Sequence, residues 1–201
     1  YNREIYALTA LRKGKYSLGA AKFHIEGNPL SYFSPMIKES LKKTVEVLDL
    51  PSPKPVNFSG EVGEYNVKII MDKKETAVGI PISFSVQITG QGTGVLFKDP
   101  LQNFCKDNHC KADITFLDES KNKKFAKLKN GEYGFESDGI FRYSLFPKEK
   151  GKLNLGEVEI VYFNPNTSKY ETSSTVFPEV NIKEAPIFSA KEIPRSEERR
   201  V

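Results

Sequence analysis

In Ile82-Ser83-Phe84-Ser85-Val86-Gln87-Ile88-Thr89 every even position is apolar and every odd one polar. Successive side chains of an extended strand point to opposite faces, so this run buries one face and wets the other. A helix would scatter the same apolar residues around its axis. Tyr65, Val67, Ile69 and Met71 alternate likewise, broken only by Ile70, and so do Ala112, Ile114 and Phe116. Phe141, Tyr143 and Leu145, then Val158, Ile160 and Tyr162, then Val180 with Ile182 complete the series. Turn formers separate the runs at Gly90-Gln91-Gly92, Asn130-Gly131, Asp138-Gly139 and Asn164-Pro165-Asn166. Asn130-Gly131, between Phe125–Leu128 and Tyr133–Phe135, is a hairpin turn because both residues tolerate positive φ. About seven short, half-buried strands predict an all-β fold, an immunoglobulin-like antiparallel β-sandwich.

A second pattern runs across the whole chain. Tyr6 and Leu8 correspond to Tyr143 and Leu145, Gly14-Lys15 to Gly151-Lys152, and Leu18-Gly19 to Leu155-Gly156. Asn28-Pro29 then falls on Asn164-Pro165, and Val45, Val47 and Pro51 on Val180, Ile182 and Pro186. The period of about 135 residues is a domain length, which predicts a tandem repeat whose first copy is partial. Residues 1–51 are then the C-terminal part of a preceding β-sandwich domain and 52–186 a complete one. The charged, aperiodic residues 187–201 are a linker toward a further domain. One stretch reads differently. Ser34-Pro35-Met36 to Leu41 has a serine cap, a first-turn proline and helical spacing of Ile37, Leu41, Val45 and Leu48. The repeat sets Thr44–Leu50 against a strand, so a helical turn or two is the most expected there.

With 38% apolar residues, such a unit can bury a workable core. The net charge of +4 is spread over interspersed Lys, Arg, Asp and Glu rather than gathered on one element, which argues against nucleic acid as a partner. No run of 18 apolar residues occurs, so membrane anchoring would have to come from segments outside this sequence.

The side chains that could carry chemistry are few. His24 alternates with Phe23 and Ile25 and so shares the wet face with Lys22 and Glu26. Cys105 and Cys110 enclose Lys-Asp-Asn-His, and three readings compete. A local disulfide would close a small loop and add roughly 2 kcal/mol in the chain-entropy model. Two free thiols are the second reading. A metal- or thiol-dependent redox centre on Cys105, His109 and Cys110 is the third, weakened by the lack of a fourth ligand nearby. Gly90-Gln91-Gly92-Thr93-Gly94 superficially resembles a phosphate cradle, yet Val95-Leu96-Phe97 does not open the helix such loops need. It reads as a turn after strand 82–89. Glu157 and Glu159 sit opposite Val158 and Ile160 as solubilising residues. No catalytic, cofactor or metal site assembles from this inventory, so the expectation is a non-enzymatic protein.

The landmarks resemble a known family. Asn57-Phe58-Ser59-Gly60-Glu61-Val62-Gly63 is followed by Asp72-Lys73-Lys74-Glu75, Val78-Gly79-Ile80-Pro81 and Ile88-Thr89-Gly90-Gln91-Gly92. Then come Phe141-Arg142-Tyr143-Ser144-Leu145-Phe146-Pro147, Lys150-Gly151-Lys152-Leu153 and Tyr162-Phe163-Asn164-Pro165 with Lys169-Tyr170. In order and spacing they resemble BatD, the oxygen-tolerance protein of the Bacteroides-aerotolerance type operon, over about residues 1–186. The resemblance implies a membrane-anchored envelope protein with tandem β-sandwich domains on the periplasmic side of the bacterial inner membrane. It implies a place in oxidative-stress tolerance, and genes alongside for von Willebrand A-type proteins and a MoxR-type ATPase. It offers no catalytic residues. The expected function is a periplasmic protein-interaction module, with a passive spacer as the alternative. A von Willebrand A domain can hold a divalent cation whose coordination a partner's carboxylate completes, since hard cations favour carboxylate oxygens. Asp107, at the tip of the loop between Cys105 and Cys110, is the candidate contact, and Asp138, beside Gly139 in a turn, the second.

Overall fold

The computed structural model describes residues 5–25, 36–102, 104, 110–128 and 130–185. The chain divides into two compact units, Tyr1–Pro53 and Lys54–Val201. No helix occurs among the described residues.

Among its described residues the first unit holds four short strands: β1 (Gly14–Leu18), β2 (Lys22–Ile25), β3 (Met36–Glu39) and β4 (Lys43–Val47). β1 pairs with β4 and β2 with β3, both antiparallel, as two nested hairpins. The helical turn expected between Ser34 and Leu41 does not occur in the described part of that stretch, 36–41. Met36–Glu39 is a strand, and Ser34 and Pro35 lie outside the described residues. The spacing of Ile37, Leu41, Val45 and Leu48 was misleading because two strands, β3 and β4, meet in it. At their junction the Ser40 amide donates to the Ala21 carbonyl and the Ala21 amide donates to Ser40 Oγ, each at 2.9 Å. This ties the connection to the start of β2.

Among its described residues the second unit has nine strands. They are β5 (Phe58–Met71), β6 (Glu75–Ala77), β7 (Ile82–Gly92), β8 (Ala112–Lys127), β9 (Tyr133–Pro147), β10 (Gly151–Leu153), β11 (Glu157–Asn164), β12 (Lys169–Val176) and β13 (Val180–Lys183). The hydrogen-bonded order is β12-β11-β5-β7-β9-β8, with β10-β13-β6 as a separate three-stranded sheet. β5 serves two partners. Phe58–Val62 runs parallel to β11, and Gly63–Met71 runs antiparallel to β7. Gly60, at φ 91°, lies in the irregular stretch between the two β11 pairings, at Phe58 and at Val62. One buried cluster unites both sheets, drawing Tyr65, Val86, Phe141 and Ile160 from the six strands and Leu153 and Val180 from the three. The second unit is an all-β, immunoglobulin-like sandwich.

The alternation expected from sequence is seen in the burial of β5, β7, β9 and β11. The hairpin at Asn130-Gly131 is also seen: Leu128 and Glu132 bond across it and Gly131 has φ 86°. Two expected turns are instead strand. Asp138-Gly139 lies inside β9, where Gly139 pairs with Ile88 on one side and Lys121 on the other. Gly90–Gly92 continues β7, paired through Gly63–Tyr65. Strands therefore run longer than the turn formers suggested. β8 stays in register with β9 only by a bulge between Phe116 and Asp118, after which Asp118 faces Arg142 and pairs with it at 2.5 Å.

Candidate functional site

Glu61 sits at the inward parity of β5, in line with Gly63, Tyr65 and Val67, and is 1% exposed. A buried carboxylate requires several donors, because losing water costs it far more than losing one hydrogen bond. It has them. Oε2 accepts from the Tyr65 hydroxyl at 2.8 Å and the Thr93 hydroxyl at 3.1 Å, and Oε1 accepts from the Leu96 amide at 2.5 Å. The Tyr65 oxygen in turn accepts from the Gly94 amide at 3.2 Å. Burial first, then the Glu61 carboxylate, pushes the Tyr65 phenol well above its ordinary range.

The glycine-rich run of β7 is explained by the same phenol. A Cβ on Gly92 would lie 2.0 Å from the Tyr65 oxygen, and one on Gly90 would lie 2.6 Å from its ring. The ring therefore crosses β7 where no side chains stand, packing edge-on to Phe97 at 4.8 Å and to Tyr162 at 5.4 Å. These glycines make room for a side chain, not for a phosphate.

A second anchor lies a few residues on. The Tyr143 hydroxyl, from the centre of β9, donates to Asp99 Oδ1 at 2.6 Å, and the Leu101 amide donates to the same oxygen at 2.9 Å. Burial, then Asp99, raises this phenol too. Phe97 and Leu101 are buried in the core on either side of Asp99. The start of the long β7–β8 connection, 93–102, is thus fastened twice to the sandwich by tyrosine–carboxylate pairs. Glu61 spends both its oxygens on these donors and Asp99 its Oδ1, and each carboxylate thereby positions the chain. Beside this strap lies a cleft lined by Phe58, Ser59, Leu96, Asp99, Phe104 and Glu159.

The strap leads toward the cysteines. Cys110 is disulfide-bonded. Cys105, Asp107 and His109 lie outside the described residues. Among the described residues no group of three His, Cys, Asp or Glu side chains is placed to hold a metal ion. Asp138 is half-buried in mid-strand and accepts from Gln87 Nε2 at 3.0 Å, so it is not the turn residue expected from sequence. His24 is exposed on β2, as its alternation indicated. Glu61, Thr93 and Asp99 did not stand out in the sequence. A usable signal existed for Glu61 alone, a carboxylate sharing the parity of the apolar positions of its strand.

The BatD DUF11 like domain matches residues 70–178, more than half of the chain. The chain belongs to the BatD family. No curated protein and no solved structure matches it. The matched stretch begins near the end of β5 and ends beyond β12, so Asp99 and Tyr143 fall within it and Glu61 and Tyr65 just before it.

Proposed function

We propose that this BatD-family chain is a non-enzymatic interaction module on the periplasmic side of the bacterial inner membrane, serving tolerance of oxidative stress. In this reading the sandwich presents its β7–β8 connection to another envelope protein, a von Willebrand A-type protein being the first candidate. One observation carries the reading: the connection is held at Glu61 and again at Asp99. Fixing a long surface segment in advance removes ordering entropy that binding would otherwise cost, which suits a presenting loop better than a mere link between strands. Leu96, half-exposed at the cleft, and the carboxylate of Asp107 are the assigned contacts.

The test is direct binding of this chain to the von Willebrand A-type proteins encoded with it, with and without EDTA, for wild type, Leu96→Asp and Asp107→Ala. Binding weakened at least tenfold by Leu96→Asp supports the strap as the contact, and sensitivity to both chelator and Asp107→Ala supports a shared cation. Binding untouched by both substitutions removes the reading, and absence of any binding favours a spacer.

A further inference from the structure

β8 closes one end of the six-stranded sheet, and among the described residues it is paired with β9 alone. Its other side is an open edge, along which Asp118, Glu119, Lys123, Lys124 and Lys127 are exposed. The hydrogen-bond phase of that edge follows from the hairpin. The Leu128 amide donates to the Glu132 carbonyl, and the register with β9 is unbroken from Lys127 back to Asp118. Bonded and non-bonded pairs alternate in an antiparallel ladder, so the even residues from Asp118 to Ala126 turn their amide and carbonyl toward β9. The odd ones, Glu119, Lys121, Lys123, Phe125 and Lys127, turn theirs to the open side.

Lysines and bulges commonly blunt exposed edges, and β8 has both. Its charges are also sorted by sign. Residues 113–119 hold Asp113, Asp118 and Glu119 and no cation, whereas 121–127 hold Lys121, Lys123, Lys124 and Lys127 and no carboxylate. An edge of one sign repels its own copy in either direction. A sorted edge repels a parallel copy and attracts an antiparallel one. The register follows too, because a two-fold axis normal to a sheet sets one residue opposite itself. Centres at Asp118, Glu119, Lys121, Lys123 or Lys124 oppose a charge to itself, and a centre at Asn122 opposes Lys121 to Lys123. Ser120, where the sign changes, opposes Glu119 to Lys121 and Asp118 to Asn122. Lys121 Nζ already lies 3.0 Å from Glu119 Oε1 and 5.3 Å from the centroid of the Phe141 ring. A second Glu119 and Lys121 across the axis would close an alternating ring of four charges.

We propose that β8 pairs with β8 of a second copy of this chain, antiparallel and centred on Ser120, so that two six-stranded sheets become continuous. Glu119 of each copy exchanges backbone hydrogen bonds with Lys121 of the other, and Asp118 lies diagonal to Lys124 on the opposite face. A foreign strand would need the same charges in reversed order, which a second copy supplies by symmetry. The bulge between Phe116 and Asp118 keeps the regular ladder short. The dimer is therefore weak, with a dissociation constant on the order of 10 μM. It uses the edge strand and not residues 93–102, so its test is independent of the function proposed above.

Sedimentation velocity of the full chain from about 1 to 500 μM, a range bracketing that constant, tests the pairing. Wild type should pass from monomer to dimer, at higher concentration when salt is added, because exposed charges are screened. Asp118→Lys with Glu119→Lys, and separately Lys121→Glu with Lys124→Glu, should each weaken the dimer at least tenfold. Mixed in equal amounts, these two variants should form a heterodimer as strong as the wild-type dimer. The register has its own test. Ser120→Cys would place its two copies about 4.5 Å apart at Cα, within disulfide reach, and should crosslink in air. Lys124→Cys, with copies about 26 Å apart at the rise of a strand, should not. A wild type that stays monomeric throughout, a dimer indifferent to both reversals, or folded variants that fail to associate when mixed overturns the proposal. So does Ser120→Cys that crosslinks no better than Lys124→Cys.

Discussion

Tyr65 donates its hydroxyl proton to Glu61, four residues earlier on the same strand, at 2.8 Å. Both face inward, one on each side of Gly63, so they span the bend at which β5 leaves β11 after Val62 and joins β7. The phenol therefore fixes that bend as well as the strap above it through the Gly94 amide. Tyr65→Phe keeps the ring and removes both bonds, leaving a buried carboxylate short of one donor. A loss of about 1.5–3 kcal/mol is expected, as for a hydrogen bond to a charged group. Denaturant unfolding measures it, and faster exchange of the Leu96 amide should accompany it.

Gly92→Ala should be worse. Its Cβ would meet the Tyr65 oxygen, and the φ of 155° adds backbone strain, whereas Gly131 has open space around it. Gly131→Ala, with φ 86°, should cost about 1 kcal/mol from backbone strain alone. Gly92→Ala should cost several times as much, about 3 kcal/mol or more, by displacing the phenol from Glu61. Equal losses for the two would refute the account of the glycine run.

Alkaline pH should expose both anchors. The phenols of Tyr65 and Tyr143 are raised above the ordinary value of 10.0, by burial first and then by their carboxylates. A native pKa raised above the unfolded one contributes stability that is complete below the unfolded value. It is lost as pH rises beyond that value, because only the unfolded chain then gives up the protons. Stability should fall above pH 10 by about 1.4 kcal/mol per pH unit for each tyrosine. In a phenolate absorbance titration, these two of the nine tyrosines should ionise only as the protein unfolds. Tyr143→Phe should flatten the decline.

Acid should act on a different contact. The Lys183 ammonium, hydrogen-bonded to Glu75 at 2.8 Å, holds that carboxyl below its ordinary value across the β6–β13 pairing. A lowered native pKa contributes stability present above the unfolded value and lost as pH falls through the native one. The expected outcome is a small loss below pH 4.5 that Lys183→Met removes, read from unfolding midpoints across the acid range.

The cysteines give a redox test. With Cys110 in a disulfide and Cys105 the other cysteine of the sequence, protein isolated without reductant should yield no titratable thiol. The double Cys→Ser variant should lose at most about 2 kcal/mol, because so short a loop restrains little unfolded-chain entropy. Free thiols in protein taken from the periplasm would count against that compartment.

Alternation in Ile82–Thr89 and Phe141–Leu145 was enough to place the main strands and their buried faces, because a period of two survives any tertiary context. Strand ends were not so legible. Asp138-Gly139 and Gly90-Gln91-Gly92 have turn-forming composition, yet both continue as strands because neighbours on each side hydrogen-bond to them. The spacing of Ile37, Leu41 and Val45 suggested a helix only because sequence spacing does not record that this stretch is two successive strands, β3 and β4, paired with β2 and β1.

By itself, the sequence determined the apolar inward positions of β5, β7, β9 and β11, that the fold is all-β, and which family the chain belongs to. These follow from local periodicity and the order of landmarks along the chain. The anchors were decided by tertiary structure alone. Asp99 and Tyr143 are distant in sequence and meet only when the β7–β8 connection folds back over the core. The Gly92 that clears a path for Tyr65 looks the same, in one dimension, as a glycine in a turn. A carboxylate reveals itself as a positioning group only when its donors surround it, and they reach Glu61 from β5 and from the loop beyond β7.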